Sequence, residues 1–292
     1  MTNTARHGVA PGTISFVGAG PGAPDLLTLR GAERLRHADI VVWASSLVPE
    51  AVVASATTAT VYDSAVMTLE DVLGVYAANP DARIVRLHSG DPALYGALQE
   101  QIDWCRANRR AFEIVPGVSS LAAAAAALDS ELTVPGVSQS VVVTRLANRT
   151  GKSMPPAETI GSFAATGCTM AVFLSASRPE ALQRELLAPP SRYREDTPAA
   201  VVVRASWPDE QVVRTTVGNL AQAMATTGAT TTALVLVGDA LEPNGPGVAA
   251  GRSHLYSPTF AHSFRRRSLP GTTTGRPATA SAARRRRRGT DR

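Results

Sequence analysis

The sequence predicts an α/β protein with mostly parallel strands and crossover helices, followed by a second strand-rich half. Three observations carry that reading. Short apolar, β-branched runs alternate with stretches at helical spacing between residues 14 and 128, an order that implies parallel strands joined by helices. Several strand-like runs end abruptly in Gly-, Pro- or Ser-rich turns that lead into the next helix. Turn residues then interrupt the pattern at 133–138 before new strands begin, which places a hinge there. The division read is a leader over 1–12, α/β domains over 13–135 and 136–242, and a tail over 243–292.

Taken in order, residues 14–17 form a β-branched and aromatic strand running into Gly18-Ala19-Gly20-Pro21-Gly22. Three glycines spaced by two can bring backbone N–H groups toward a ligand. This is not the dinucleotide fingerprint, because Pro21 and Pro24 delay the helix until about Leu27 and no acidic residue follows the second strand, 40–43. No Lys-Ser or Lys-Thr pair follows, so a P-loop is excluded as well. The central stretch, residues 83–96, puts Ile84, Val85 and Leu87 on a strand that stops at Ser89-Gly90-Asp91-Pro92. Leu94, Ala97, Leu98, Gln101 and Ile102 fall at helical spacing, so the loop is expected to open a helix, with its segment at 98–107, at a strand's carboxyl end, where open α/β sheets bind ligands. Asp91 is either an ordinary helix cap or an acceptor for a ligand hydroxyl or ammonium. A further strand at 112–115 ends in Pro116-Gly117-Val118-Ser119-Ser120, with Ser119 or Ser120 capping the alanine-rich helix 121–128. Three ligand-competent loops are thus expected on one sheet edge.

The second half offers strands at 141–144, 170–174, 200–203, 212–216 and 234–237, with helices near 180–187 and 220–226. Between them, Arg149-Thr150-Gly151-Lys152 holds the single lysine of the chain. That cationic loop reads equally as an anion site or as solvated surface.

With 292 residues, 44% of them hydrophobic, the chain can bury a substantial core. No apolar run is long enough to span a bilayer and the polar start lacks a signal-peptide core, so cytoplasm is expected. Cys105 and Cys168 have no metal-ligand spacing, which makes reduced thiols the default and zinc, or any other metal, unexpected. The net charge of +5 is misleading, because residues 251–292 contain eleven of the 29 basic residues and one of the 24 acidic ones. The rest therefore carries eighteen basic against twenty-three acidic residues, a balance of −5. The tail, ending in five consecutive arginines at 284–288, reads as disordered, with weak nucleic-acid or anionic-surface binding as its alternative role.

The three loops, Val17 through Gly22, Ser89 through Gly96 and Val115 through Ser120, in this order and spacing resemble the tetrapyrrole (corrin/porphyrin) methylases over about residues 13–242. The resemblance implies a fold of two α/β domains enclosing a cleft, S-adenosyl-L-methionine held between them as methyl donor, a tetrapyrrole substrate and a homodimer. Within the family, Ser46 through Glu50, Tyr62 through Ala65, His88 through Asp91 with Tyr95, and Thr144 through Ala147 with Arg149 and Thr150 resemble the corrin branch that methylates precorrin-4 at C-11. Carried over by position, Pro21, Ser89, Gly90, Asp91, Leu94, Ser119 and Ser120 match the family's cofactor contacts, and Ser175 and Ala205 align with its second-domain contacts.

One departure bears on the branch. Uroporphyrinogen III methyltransferases carry an aspartate just after the second strand and a lysine about twenty residues later; here those places read Trp43-Ala44-Ser45-Ser46 and Tyr62-Asp63-Ser64. Transfer of a methyl from a sulfonium to an already nucleophilic pyrrole carbon draws mainly on positioning and desolvation. His88, beside the central loop, reads either as a relay for the pyrrole proton or as a structural hydrogen-bonding histidine. Arg145 and Arg149, with Arg86 as a further possibility, suit substrate carboxylates, since a guanidinium binds them bidentately. Cobalt-bearing precorrin-4 is an alternative substrate. An RNA 2′-O-methyltransferase of the same superfamily and a cofactor-sensing regulator are the rival classes.

Overall fold

The computed structural model describes residues 9–54, 56, 58–147, 154–242, 245, 251, 253–261, 263 and 267–269. Residues 1–249 form one compact unit containing two five-stranded sheets.

The first sheet comprises β1 (Ile14–Gly18), β2 (Ile40–Trp43), β3 (Thr60–Asp63), β4 (Ile84–His88) and β5 (Phe112–Val115), in the order β3-β2-β4-β1-β5 with every pairing parallel. Its helices are α1 (Leu29–Arg36), α2 (Glu50–Val53), α3 (Leu69–Ala78), α4 (Gln99–Ala107) and α5 (Ser120–Ala127). Side-chain alternation gives the sheet two apolar faces, as a parallel sheet requires. Val17, Val41, Val85, Leu87 and Val115 pack with Leu35 and Val52 on one face, and Ile14, Phe16, Ile40, Val42 and Ile84 pack with Tyr76, Ile102 and Cys105 on the other. The connections from β1 to β2 and from β4 to β5 run in opposite directions from neighbouring strands, so the carboxyl ends of β1 and β4 form the topological switch point.

The second sheet comprises β6 (Val141–Arg145), β7 (Thr169–Phe173), β8 (Pro198–Val203), β9 (Gln211–Thr216) and β10 (Ala233–Val237), ordered β6-β7-β10-β8-β9. Only β6 and β7 pair in parallel; the other three pairings are antiparallel. Its helices α6 (Ile160–Ala164), α7 (Pro179–Leu187) and α8 (Leu220–Thr227) cover one face around Met170, Leu182, Leu186 and Leu220. The other face receives α5: Ala124 and Leu128 pack on Ala171, Ala200, Val202, Leu234 and Leu236. The small side chains of the SLAAAAAA helix let its backbone come close to that sheet, so α5, capped at the first sheet's edge, joins the two sheets. The proposed domain division at 135/136 falls between α5 and β6.

Several local expectations are corrected. The helix after the central loop, Gln99–Ala107, agrees with the expected segment 98–107 to within one residue; the helical spacing of Leu94 and Ala97 does not extend it toward the loop, because Tyr95 and Ala97 have φ of 57° and 46° and a left-handed residue cannot continue a right-handed helix. The first helix is delayed further than expected: a 3-10 turn at Pro24–Leu26 precedes α1, which Thr28 caps by accepting from Gly31 N. Strand β3 was not foreseen; it is a short edge strand with an exposed Val61, so its sequence carries no buried face to read. Helix α6 is five residues long and was also unforeseen. The described residues from Gly251 onward belong to a second unit and include a 3-10 turn, His254–Tyr256, capped by Ser253. The Arg284–Arg288 run lies outside the described residues.

Candidate active site

Three strand-to-helix loops meet at the switch point and are tied together by their backbones. Gly20 and Gly90 exchange hydrogen bonds, with N–H donors 2.8 and 3.2 Å from the opposite carbonyls, and Ala19 N donates to His88 O at 2.8 Å. Both glycines have positive φ, 79° and 65°, which suits a crossing of this kind outside regular strands. The third loop joins through side-chain chemistry. Asp91 Oδ2 accepts from Gly117 N at 2.9 Å and Oδ1 accepts from Ala93 N at 2.8 Å. Asp91 is therefore not the N-cap of α4, where Leu98 stands; its carboxylate joins the second loop to the third. Such closeness requires glycine: a Cβ on Gly18 would lie 2.5 Å from Gly117 Cα, and one on Gly117 would lie 2.1 Å from Gly90 O.

Above this junction a cleft of about 410 Å³ runs between the two sheets, a volume in the range of small-ligand sites. Pro21, Ser89, Gly90, Asp91, Leu94, Ser119 and Ser120 line it from the first half, and Ala205 lines it from the second. Ser119 is the cap of α5, accepting from Leu121 N at 3.2 Å. Ser175 sits just behind the wall formed by Leu174 and Ala176; its hydroxyl is buried and has no hydrogen-bond partner among the described residues. Buried polar groups are normally satisfied, so such an orphan suits a site that receives a polar ligand. A mixed lining of Asp91, serines and threonines with Leu94, Val202 and Leu234 fits an amphipathic molecule such as S-adenosyl-L-methionine.

The cleft also contains residues that sequence reasoning missed. Phe173, Leu174, Arg204 and Thr232 line it, as do Leu47 and Tyr95, whose only signals are their places in the motif 46–50 and beside the central loop. Four of these six, Tyr95, Leu174, Arg204 and Thr232, have φ between 50° and 57°. Non-glycine residues rarely adopt that conformation, and strain of this kind concentrates at functional sites. Tyr95 and Phe173 bring their rings together at 5.2 Å, joining the central loop to β7. Arg145 stands opposite Phe173 in the β6–β7 register. Burial raises the Tyr95 phenol's pKa, and the charge of Arg145 acts against that rise, which puts the guanidinium in the same neighbourhood. Arg149 lies outside the described residues.

His88 does not line the cleft. It is buried beneath the loop beside Phe16, with ring centres 6.1 Å apart, and its Nε2 has no hydrogen-bond partner among the described residues. Burial, reinforced by the nearby Arg86 charge, pushes its pKa down to about 4. The imidazole is thus neutral in the folded protein near pH 7. Because the unfolded chain binds a proton more readily, His88 costs no stability above about pH 6.5 and makes stability fall as pH drops from there toward 4. Replacing His88 by Gln is expected to remove up to about 3 kcal/mol of that acid sensitivity, read as the loss of a pH 4–6.5 slope in urea-unfolding free energy. Arg86 is largely buried as well, donating to Ser64 Oγ at 2.8 Å and Val42 O at 3.3 Å, and burial lowers its pKa. In the stretch Tyr62-Asp63-Ser64, Asp63 is exposed and accepts from Ser45 N, Ser45 Oγ and Ala65 N.

Among the described residues no helix is long and apolar enough to cross a membrane, and no cluster of three or more His, Cys, Asp or Glu is arranged to hold a metal ion.

Comparison with known proteins adds chemistry to this geometry. The family model for tetrapyrrole (corrin/porphyrin) methylases matches residues 13–221. A cobalt-precorrin-4 C(11)-methyltransferase from Methanocaldococcus jannaschii is 42% identical over 256 residues, 87% of this chain and 96% of its own length. A precorrin-4 C(11)-methyltransferase from Pseudomonas aeruginosa is 40% identical over 255 residues, 87% of this chain and 98% of its own. The X-ray structure of a cobalt precorrin-4 methyltransferase superposes with a TM-score of 0.76 at 41% identity, covering 81% of this chain and all of that one. A uroporphyrin-III C-methyl transferase from Thermus thermophilus, solved with S-adenyl homocysteine, superposes with a TM-score of 0.65 at 26% identity, covering 82% and 98%.

Proposed function

The chain belongs to the tetrapyrrole (corrin/porphyrin) methylases, and from that membership we propose that it methylates precorrin-4 at C-11 in cobalamin biosynthesis, using S-adenosyl-L-methionine. The observation that carries this reading is the cleft itself, in which the three family loops and the second sheet face one another, in a chain about 40% identical along nearly the full length of C-11-specific enzymes.

Bound in the cleft, S-adenosyl-L-methionine would supply an electrophilic methyl group on a sulfonium; the sulfur departs as a neutral thioether, and the positive charge passed to the ring is discharged when the ring loses a proton. The protein's part is alignment and exclusion of water, which account for much of the acceleration in such a transfer. Pro21, Ser89, Gly90, Leu94, Ser119, Ser120 and Ala205 hold the donor, with Ser175 behind them. Asp91 fixes the loops through Gly117 N and Ala93 N and keeps lone pairs for a ligand donor. Tyr95 and Phe173, their rings tilted 44° to each other, present an aromatic wall to the macrocycle, while Arg145 and Arg149 hold its carboxylates. His88, neutral and away from the cleft, orders the loop rather than accepting the substrate's proton.

The test is anaerobic incubation with methyl-labelled S-adenosyl-L-methionine and either precorrin-4 or cobalt-precorrin-4, with the label located by NMR. One methyl at C-11 is expected. The relative kcat/KM of the two substrates decides the metal question, on which the named relatives divide. No transfer to either, with donor still bound, would sink the corrin reading. We further infer a cytoplasmic homodimer, checked by light scattering. Removal of residues 251–292 is expected to leave methyl transfer within twofold; loss of transfer on that deletion, together with loss of RNA binding, would favour the RNA 2′-O-methyltransferase reading.

A further inference from the structure

The loop after β8 reaches across to the glycine loop after β1 and grips it at three consecutive positions. Trp207 Nε1 donates to Pro21 O at 2.9 Å. Ala23 N donates to Ser206 Oγ at 2.9 Å. Between them, Gly22 lies flat against the indole: a Cβ there would sit 2.2 Å from Trp207 Cδ1 and 2.5 Å from its Nε1. Each link joins residues more than 180 positions apart, so local chain preference contributes nothing to it.

The gripping loop is itself braced. The Arg204 guanidinium lies over the Trp207 ring, 5.4 Å from its centre, and pairs with Asp209, so one face of the indole is covered by a cation. Arg204 N donates to Thr232 O at 2.9 Å, Trp207 N to Arg204 O at 2.9 Å and Ser206 N to a Glu210 carboxylate oxygen at 2.6 Å. Arg204 and Ser206 both have positive φ, 50° and 67°. Two left-handed non-glycine residues bracketing Ala205 are costly, and such conformations persist where the surroundings hold them for a purpose. Ala205 and Arg204 line the cleft from one side and Pro21 from the other. The grip therefore spans one end of the cleft and sets the distance between its two walls.

We propose that Trp207 is a positioning residue for the methyl donor: through its indole N–H it holds the Pro21 carbonyl and the glycine loop at the separation from Ala205 at which the cleft fits its ligand. The inference rests on the reading of this cleft as the donor site. Trp207 acts through Pro21 and Ala205 rather than by contact with the reacting methyl. Disturbing it should weaken the donor and leave the tetrapyrrole's own contacts intact, giving a split between the two KM values.

Trp207→Phe keeps an aromatic ring and removes the N–H; Ser206→Ala removes the second link; Gly22→Ala pushes on the indole from the opposite side. For each, S-adenosyl-L-homocysteine affinity is measured by calorimetry, together with Tm and the separate KM values for donor and tetrapyrrole. A five- to tenfold rise in the Kd for S-adenosyl-L-homocysteine and in donor KM is expected for Trp207→Phe, in line with one hydrogen bond of about 1 kcal/mol. Tetrapyrrole KM should stay near the parent value; Tm should fall by only a few degrees in Trp207→Phe, as loss of one hydrogen bond implies, and by more in Gly22→Ala, where the indole must shift and the effect on the donor should match or exceed that of Trp207→Phe. In the parent protein, tryptophan emission should change on binding S-adenosyl-L-homocysteine, and in Trp207→Phe that change should be lost. Unaltered donor affinity in both Trp207→Phe and Gly22→Ala would overturn the inference, as would losses shared equally by donor and tetrapyrrole. If the parent protein itself fails to bind S-adenosyl-L-homocysteine, the donor-site reading falls instead, and this inference with it.

Discussion

Gly117→Ala is expected to be among the most damaging single-methyl changes in the chain. The added Cβ would lie 2.1 Å from Gly90 O and 2.7 Å from Gly18 Cα, both backbone atoms that no rotamer change can move. Relief would require separating the loops after β1, β4 and β5, which breaks the Gly20–Gly90 exchange and the Gly117 N to Asp91 bond together. Overpacking that side chains can absorb costs about 1–3 kcal/mol; a backbone collision at a three-loop junction should cost about 4 kcal/mol or more. In a compact unit of this size that corresponds to a fall in Tm of roughly 8–16 °C. Scanning calorimetry checks the fall, and calorimetric titration should find no binding of S-adenosyl-L-homocysteine. Gly161→Ala, where a Cβ meets nothing within 4 Å, is the matched control and should be neutral or slightly stabilising.

Asp91→Ala is the second large effect, and it falls on activity more than on stability. The carboxylate is acceptor for Gly117 N and Ala93 N, and hydrogen bonds to a charged group are worth about 1.5–3 kcal/mol each. Because Asp91 is partly open to the cleft, the lower part of that range applies. Removing both bonds leaves the second and third loops free to separate, and kcat/KM for methyl transfer should fall by about 10²–10³. Asn at this position can still accept through Oδ1, but its amide turns a donor toward the other N–H. Its loss should therefore lie between parent and Ala. Steady-state kinetics with donor and tetrapyrrole varied separately checks the order. Equal activity in parent and Ala variants would show that the loops are held without the carboxylate.

Much of this site was legible because its chemistry is local. Gly18 through Gly22, Ser89 through Asp91 and Pro116 through Ser120 each follow an apolar run that ends sharply, and a strand's end is a short-range signal. A parallel arrangement then puts those ends on one edge. The central helix is legible at 98–107, but the helical spacing of Leu94 and Ala97 before it is misleading, because it runs through a loop whose Tyr95 and Ala97 turn left-handed. Periodicity reports which side chains are apolar and is silent about a φ imposed by packing. Strand β3 escaped for the opposite reason, since an exposed edge strand buries too little to leave a pattern.

The α/β class, the three loops on one sheet edge, the charge separation between body and tail and, through motif order and spacing, the family could all be read from the amino-acid order. It took the packed fold to reveal that Asp91 joins two loops instead of capping α4, that His88 is buried away from the cleft, that α5 packs on the second sheet, and that Trp207 holds the glycine loop. Each of the first group depends on neighbours within a few residues or on composition. Each of the second depends on partners brought together by the fold, and for Trp207 the partner stands 186 positions away, where neither propensity nor spacing carries information.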